Sequence, residues 1–211
     1  LAEWFDIILD SSFVDETATG IRGFERRFGF LEKPVQIRFR ILDKNCFING
    51  LSDLTIRADE FCTLNPDIDT VFVTENDING LAFPMVRRSI ILFGRGYGFE
   101  YLQNANWLQN KKILYWGDID THGFVILSQF RKLFPSVQSF LMDRDTLLAY
   151  SQYWVKEEKP SEAIPKNLTN EEYSLYNALR SNLFGESVRL EQEFISFDRV
   201  CKYRNNQKHK I

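Results

Sequence analysis

Asp118 and Asp120 stand two positions apart in the string Trp116-Gly117-Asp118-Ile119-Asp120-Thr121-His122-Gly123. In an extended segment the two-residue period turns both carboxylates to one side, with backbones roughly 6.5–7 Å apart. Two carboxylates so placed converge on a hard cation. Magnesium takes oxygen ligands and keeps waters and substrate phosphates in its shell. Glu75 ends an earlier apolar run and completes the set if the two strands are close neighbours. One magnesium bound by Asp118 and Asp120, with Glu75 bridging or acting as general base, would activate a water for hydrolysis. The structural alternative is that Asp118 or Asp120 caps a helix starting near Thr121.

The elements that must position these acids alternate between strand and helix. Thr70–Thr74, Ser89–Phe93 and Lys112–Trp116 are short β-branched or aromatic runs of the kind buried on both faces. Residues 137–141 form a fourth strand. Helices are expected over 98–109 and 122–133, then over 145–156, 170–183 and 188–203. This alternation predicts an α/β fold with a parallel, Rossmann-like sheet flanked by helices and a helical C-terminal part. In such sheets chemistry lies beyond the carboxyl ends of the strands, where Glu75, Gly94–Gly98, Asp118 and Asp120, and Asp143 all fall. Upstream, residues 3–10 read as the end of a helix. Val35–Leu42 alternates as a half-buried strand, continued by 46–48 and 54–56 as a small β-layer. The boundaries expected are 1–66 for an N-terminal α+β element and 67–211 for the main domain. The opening at Leu1, without an initiator Met, suggests a piece of a longer protein.

Bulk properties narrow the class. The 211 residues carry a net charge of −3, so any nucleic-acid surface must be local. Nineteen Phe supply a core. Cys46, Cys62 and Cys201 are scattered, which argues against a disulfide framework and for a reducing cytoplasm. With two His, a structural zinc site has too few ligands. No apolar run approaches the ~20 residues of a membrane span. The sequon at Asn167-Leu168-Thr169 has no consequence in a cytoplasmic protein.

Other residues carry two readings each. Gly94-Arg95-Gly96-Tyr97-Gly98 follows a strand, as a dinucleotide-binding loop does, with Asp118 in the place of a ribose-binding acid; Phe99 stands where the third glycine belongs. The same loop reads as a phosphate contact for DNA through Arg95, or as a plain turn. His122 reads as a phosphate donor or a helix-start residue. Arg189, Glu191 and Glu193 read as a charged helix face, or as support for a second metal with Arg189 turned to DNA. Asp143 and Asp145 read as the same support or as helix caps. Arg131, Lys132 and Arg144 read as solvated, or as DNA-backbone contacts. No tyrosine is marked as a nucleophile.

Glu75 with Asp118-x-Asp120 resembles the Toprim domain of topoisomerases, primases and related nucleases. Trp116 to Phe124 is similar to the Asp-x-Asp-x-x-Gly segment of the topoisomerase VI A subunit and the meiotic break-forming proteins. It most resembles the Wadjet JetD family, as do Ile37–Asp43, Leu141–Leu147 and Arg189–Glu193. The resemblance runs from about residue 24 to residue 200. It implies a Toprim fold and a magnesium-dependent DNA endonuclease, with manganese as a substitute ion. It also implies a homodimer acting on double-stranded plasmid DNA with a condensin-like SMC complex. In the family an N-terminal arm and a winged-helix-like domain precede Toprim; this chain is expected to lack the arm and most of that second domain. Two alternatives stay open: a dinucleotide-cofactor enzyme built on Gly94–Gly98, and a non-catalytic DNA-binding assembly module. On the metal reading, three crowded carboxylates repel one another, so Asp118→Asn should leave the metal-free domain at least as stable.

Overall fold

The computed structural model describes residues 1–20, 23–31, 34–94 and 99–208, with side chains described through Lys202. The chain forms two compact units, Leu1–Val35 and Gln36–Ile211. In the first, α1 (Ala2–Ile8) and α2 (Phe24–Arg27) are joined by the Asp6–Arg27 ion pair. Phe5, Phe24, Phe28 and Phe30 meet in an aromatic cluster.

The second unit is built on a six-stranded mixed sheet. Its strands are β1 (Gln36–Ile41), β2 (Asp53–Arg57), β3 (Thr70–Thr74), β4 (Ser89–Phe93), β5 (Lys112–Trp116) and β6 (Gln138–Ser139), in the order β2-β1-β4-β3-β5-β6. Pairings β3–β4, β3–β5 and β5–β6 are parallel; β1 runs antiparallel to β2 and β4. The strands expected over 35–56 are therefore no separate layer, because β1 takes its place in the main sheet beside β4. Residues 46–48 make no strand. Lys44–Cys46 is a 3₁₀ turn capped by Asp43, and Ile48 bridges Leu51 across Asn49 and Gly50. Both of those residues have positive φ, the signature of a tight hairpin turn.

The central strands are apolar on successive residues because both faces are covered. Val71, Phe72 and Val73 are all buried. Alternation sends Tyr115 and Trp116 to opposite faces. Trp116 packs with Phe83 and Phe140, and Tyr115 packs with Phe99 and Phe130. Helices α3 (Ala58–Thr63), α4 (Asp77–Ala82) and α5 (Thr121–Leu133) follow β2, β3 and β5. Then come α6 (Arg144–Ala149), β7 (Val155–Lys156), α7 (Asn170–Arg180), β8 (Val188–Arg189) and α8 (Phe197–Lys208).

Three sequence expectations change. The helix expected over 98–109 is, among the described residues, two 3₁₀ turns, Phe99–Leu102 and Asn106–Asn110. Asn104 and Asn106 flank the break, and asparagine favours turns over helix interiors. The fourth strand shrinks to Gln138–Ser139, and Leu141 at φ 55° turns the chain out of extended conformation. The helices expected over 145–156 and 188–203 give up their facing ends to β7 and β8, which pair antiparallel. Neither two-residue strand has a local signal; each exists because the other is there.

Arg131, expected to be solvated, is largely shielded where α5 faces α7. Its guanidinium meets Glu172 at 2.6 and 3.0 Å and also donates to the carbonyls of Val137 and Asn167. Burial alone would raise the Glu172 carboxyl, but bonds from Arg131 and the Thr169 backbone hold it below the usual glutamate range. Its stabilising effect is therefore complete above the ordinary glutamate pKa and is lost as pH falls through its depressed value. Arg131→Ala strands a buried carboxylate and is expected to cost about 3–5 kcal/mol in denaturant unfolding near neutral pH. The cost should shrink as pH drops below the ordinary glutamate pKa; a pH-independent loss would mean the guanidinium matters by packing alone.

Candidate active site at the ends of the central strands

β3 and β5 are adjacent and in register, Thr74 opposite Trp116. The chain leaves β3 toward β4 on one side and returns to β5 on the other. The crevice between β3 and β5 is thus the switch point where ligands bind in open α/β sheets. Glu75 and Gly117 are the next residues on each strand. Gly117 is required there: a Cβ would fall 2.5 Å from Tyr115 Oη and 2.6 Å from Glu75 Oε1. The Tyr115 hydroxyl, deep in the core, donates to Glu75 Oε1.

Beyond Gly117 the chain stays extended for three residues. Ile119 exchanges backbone hydrogen bonds with Leu190 at 2.9 and 3.1 Å, so the segment after β8 lies along it as a strap. Asp118 and Asp120 flank this bridge. Asp120 caps α5, accepting from the Gly123 N–H at 2.7 Å. A side chain at Gly123 would collide with the Asp118 carbonyl. Asp118 does not cap the helix. Its Oδ1 accepts from the Gln192 N–H at 2.9 Å and its Oδ2 from Arg189 at 2.6 Å. The capping alternative thus holds for one aspartate of the pair.

Arg189 spans the site from the strap. Besides Asp118 it lies 3.4 Å from Asp120 Oδ2 and 3.5 Å from Glu191. The Asp120 approach is an ion pair without hydrogen-bond geometry, and Arg189 Nε is a buried donor with no partner. Burial works against the Arg189 charge, but Asp118, Asp120 and Glu191 outweigh it and raise its pKa. Burial pushes the Glu75 carboxyl up to about 7, with Asp118 and Asp120 adding and Tyr115 and Arg189 opposing. Burial lifts Asp120 to about 6, Glu157 and Asp118 adding to the rise. Three carboxyls and one guanidinium therefore share one field. The donor set is all oxygen, the chemistry of a hard divalent cation. Among the described residues no group of three His, Cys, Asp or Glu side chains is gathered ready to hold a metal; Asp118 and Asp120 both turn an oxygen to Arg189.

The other sequence candidates fall in different places. The strap carries Arg189 at the end of β8, Glu191 just before a 3₁₀ turn (Gln192–Phe194) and Glu193 within it, not on a helix face. Glu193 accepts from the Asn76 side chain, and its carboxyl is raised by burial and by Glu191 and Asp118. His122 Nε2 lies 2.8 Å from the Lys159 carbonyl at the start of α5. Asp143 caps α6, accepting from Thr146 N–H at 2.7 Å. Arg144 lies over the Phe184 ring. Both line a cavity of about 860 Å³ to which Glu75, Asp118 and Asp120 contribute nothing. Arg95, with the rest of residues 95–98, lies outside the described residues.

Sequence reading missed four contributors. Buried Gln192 joins the two strand ends, its backbone holding Asp118 and its Oε1 accepting from Thr74 at 2.6 Å. Tyr115 reads as a core aromatic, and nothing in its neighbourhood marks it as Glu75's partner. Buried Glu157 accepts from Thr121 Oγ1 at 2.7 Å and from the first N–H groups of α5. Thr121 itself, the first residue of the helix, is the other half of that contact.

The Arg189 contact reverses the stability expected for Asp118→Asn. That change removes the better ion pair and should lower the metal-free melting temperature. Asp120→Asn keeps a good cap and removes a charge that burial disfavours, so it should raise it. Carboxyls raised above their unfolded values contribute stability that is full below the ordinary carboxylate range and lost as pH rises through about 6 and about 7. With metal chelated, the chain should melt higher at about pH 5.5 than at about pH 8. Glu75→Gln should flatten that slope, and an unchanged slope would show that Glu75 ionises freely.

No curated protein matches the chain. A family model described as Wadjet protein JetD, C-terminal, matches residues 29–203, most of the chain and every residue of the site just described. With Glu75, the Asp118–Asp120 pair and the Arg189 strap all inside the matched span, the chain belongs to the Wadjet JetD C-terminal family.

Proposed function

We propose that this chain is the Toprim-type, magnesium-dependent DNA endonuclease part of a Wadjet anti-plasmid system. Family membership supports a role in Wadjet defence. The observation that supports the catalytic reading is the placement of Glu75, Asp118 and Asp120 beyond the ends of two adjacent parallel strands, within electrostatic reach of one another, with the Glu75 and Asp120 carboxyls raised toward neutrality.

Asp118 and Asp120 would hold magnesium, or manganese in its place, with Glu75 bridging or taking a proton from water. When bound, the ion would supply an activated water and offset charge building on the scissile phosphate. The chain's own groups prepare for this. A Glu75 pKa of about 7 matches a general base working near neutral pH. The Tyr115 hydroxyl fixes its Oε1. Capping locks the Asp120 rotamer, and the Gln192 N–H holds Asp118. Double-stranded plasmid DNA, a condensin-like SMC partner and a homodimer in which each subunit cuts one strand belong to the same proposal. Arg189 touches the aspartates, and His122 stands two residues past Asp120 at the start of α5; both would face the DNA phosphates in this proposal.

In the full-length protein reconstituted with its partner complex, Glu75→Gln and Asp118→Asn should each lower magnesium-dependent plasmid cutting by about 10²-fold or more. Wild-type cutting by either variant would move the active site elsewhere. The 211-residue chain by itself, at a net charge of −3, should cut poorly. Vigorous magnesium-dependent nicking by the chain alone would contradict that.

A further inference from the structure

We infer that Arg189 is an internal countercation which the divalent ion must displace from Asp118 and Asp120 to bind; the inference rests on the metal-centre reading above. Three features of the geometry point to it. The guanidinium lies where a cation shared by the two aspartates belongs, 2.6 Å from Asp118 Oδ2 and 3.4 Å from Asp120 Oδ2. It spends Asp118's second oxygen, the first being held by the Gln192 N–H. It fits imperfectly, for Nε is buried and unbonded while Asp120 lies within ion-pair range. A structural ion pair built for stability would satisfy that donor, as Arg131 does with Val137.

The backbone around it allows exchange. Arg189 is the last residue of a two-residue strand, and its side chain is one-third exposed, so the guanidinium has a route toward solvent. Glu191, 3.5 Å away and equally exposed, offers a second carboxylate to receive it. The aspartates have no comparable freedom: Asp120 is tied to the helix N-terminus and Asp118 to the strap backbone. Two fixed anions and one movable cation make a site whose occupant changes while its ligands stay. Without metal, Arg189 offsets the repulsion of the carboxylates. With metal, it swings to Glu191 or to an incoming phosphate, for which its planar fork is suited.

The test is manganese binding to the purified chain by calorimetry, with thermal melts in chelator and in excess manganese. Arg189→Gln removes the competing charge and keeps most of the side-chain length. It should bind manganese about tenfold or more tightly than the parent, since a charge-assisted hydrogen bond no longer has to be broken. It should also melt lower in chelator and gain more on metal addition. Arg189→Lys keeps the charge but loses the fork, and should fall between the two; it serves as the variant of record if the glutamine form does not fold. Equal or weaker binding by Arg189→Gln, or by Arg189→Lys in its place, overturns the displacement and makes Arg189 a positioning residue for the ligands. Asp118→Asn, carrying the native Arg189, separates the two levels of the argument. If manganese binds the parent no better than it binds Asp118→Asn, the metal centre itself is wrong and the inference falls with it.

Discussion

Past Thr74 and Trp116, paired in register, the two central strands each release an acidic residue into a partly buried crevice. Carboxylates brought this close resist ionising together, and much of the surrounding structure answers that repulsion. Tyr115 donates to Glu75 from below, Gly123 N–H donates to Asp120 from the start of α5, and Arg189 reaches both aspartates from the strap. Burial outweighs these contacts, with neighbouring carboxylates adding, which is why the Glu75 and Asp120 carboxyls stand at about 7 and about 6.

The strap that supplies Arg189 is held by long-range pairing. β7 and β8 pair over two residues each, and Ile119 and Leu190 add one bridge. Glu157, immediately after β7, accepts from Thr121 and the first turn of α5. The same short ladder thereby aligns β8 with Asp118 and Asp120 and seats an acidic group at the start of the helix that Asp120 caps. Electrostatics and backbone register are coupled here: moving the strap by one residue would turn Arg189 away and bring Leu190 toward the aspartates.

Much of the scaffold was legible before any coordinates. Val71-Phe72-Val73, Ile90-Ile91-Leu92 and Ile113-Leu114-Tyr115 announce strands buried on both faces, and the Asp118–Gly123 spacing announces a strand end passing into a helix. β1 was legible as a strand but not as a member of the main sheet. Alternation reports that one face is buried; it does not report which neighbour supplies the hydrogen bonds. Residues 188–203 misled because a two-residue strand is too short to leave a pattern of its own, while Val188 and Ile195, seven apart, fit one helical face.

The sequence by itself determined which residues are candidates for chemistry, because side-chain type and two-residue spacing are local: two aspartates on one side of an extended segment, and a glutamate at the end of another strand. Only the tertiary structure decided that β3 and β5 are neighbours, that Tyr115 and Gln192 hold the acids, and that Arg189 sits between the aspartates and not on a helix face. Those facts depend on contacts between residues separated by 40 to 74 positions. Such contacts are selected by sheet order and by the pairing of very short strands, neither of which leaves a periodic trace in the chain.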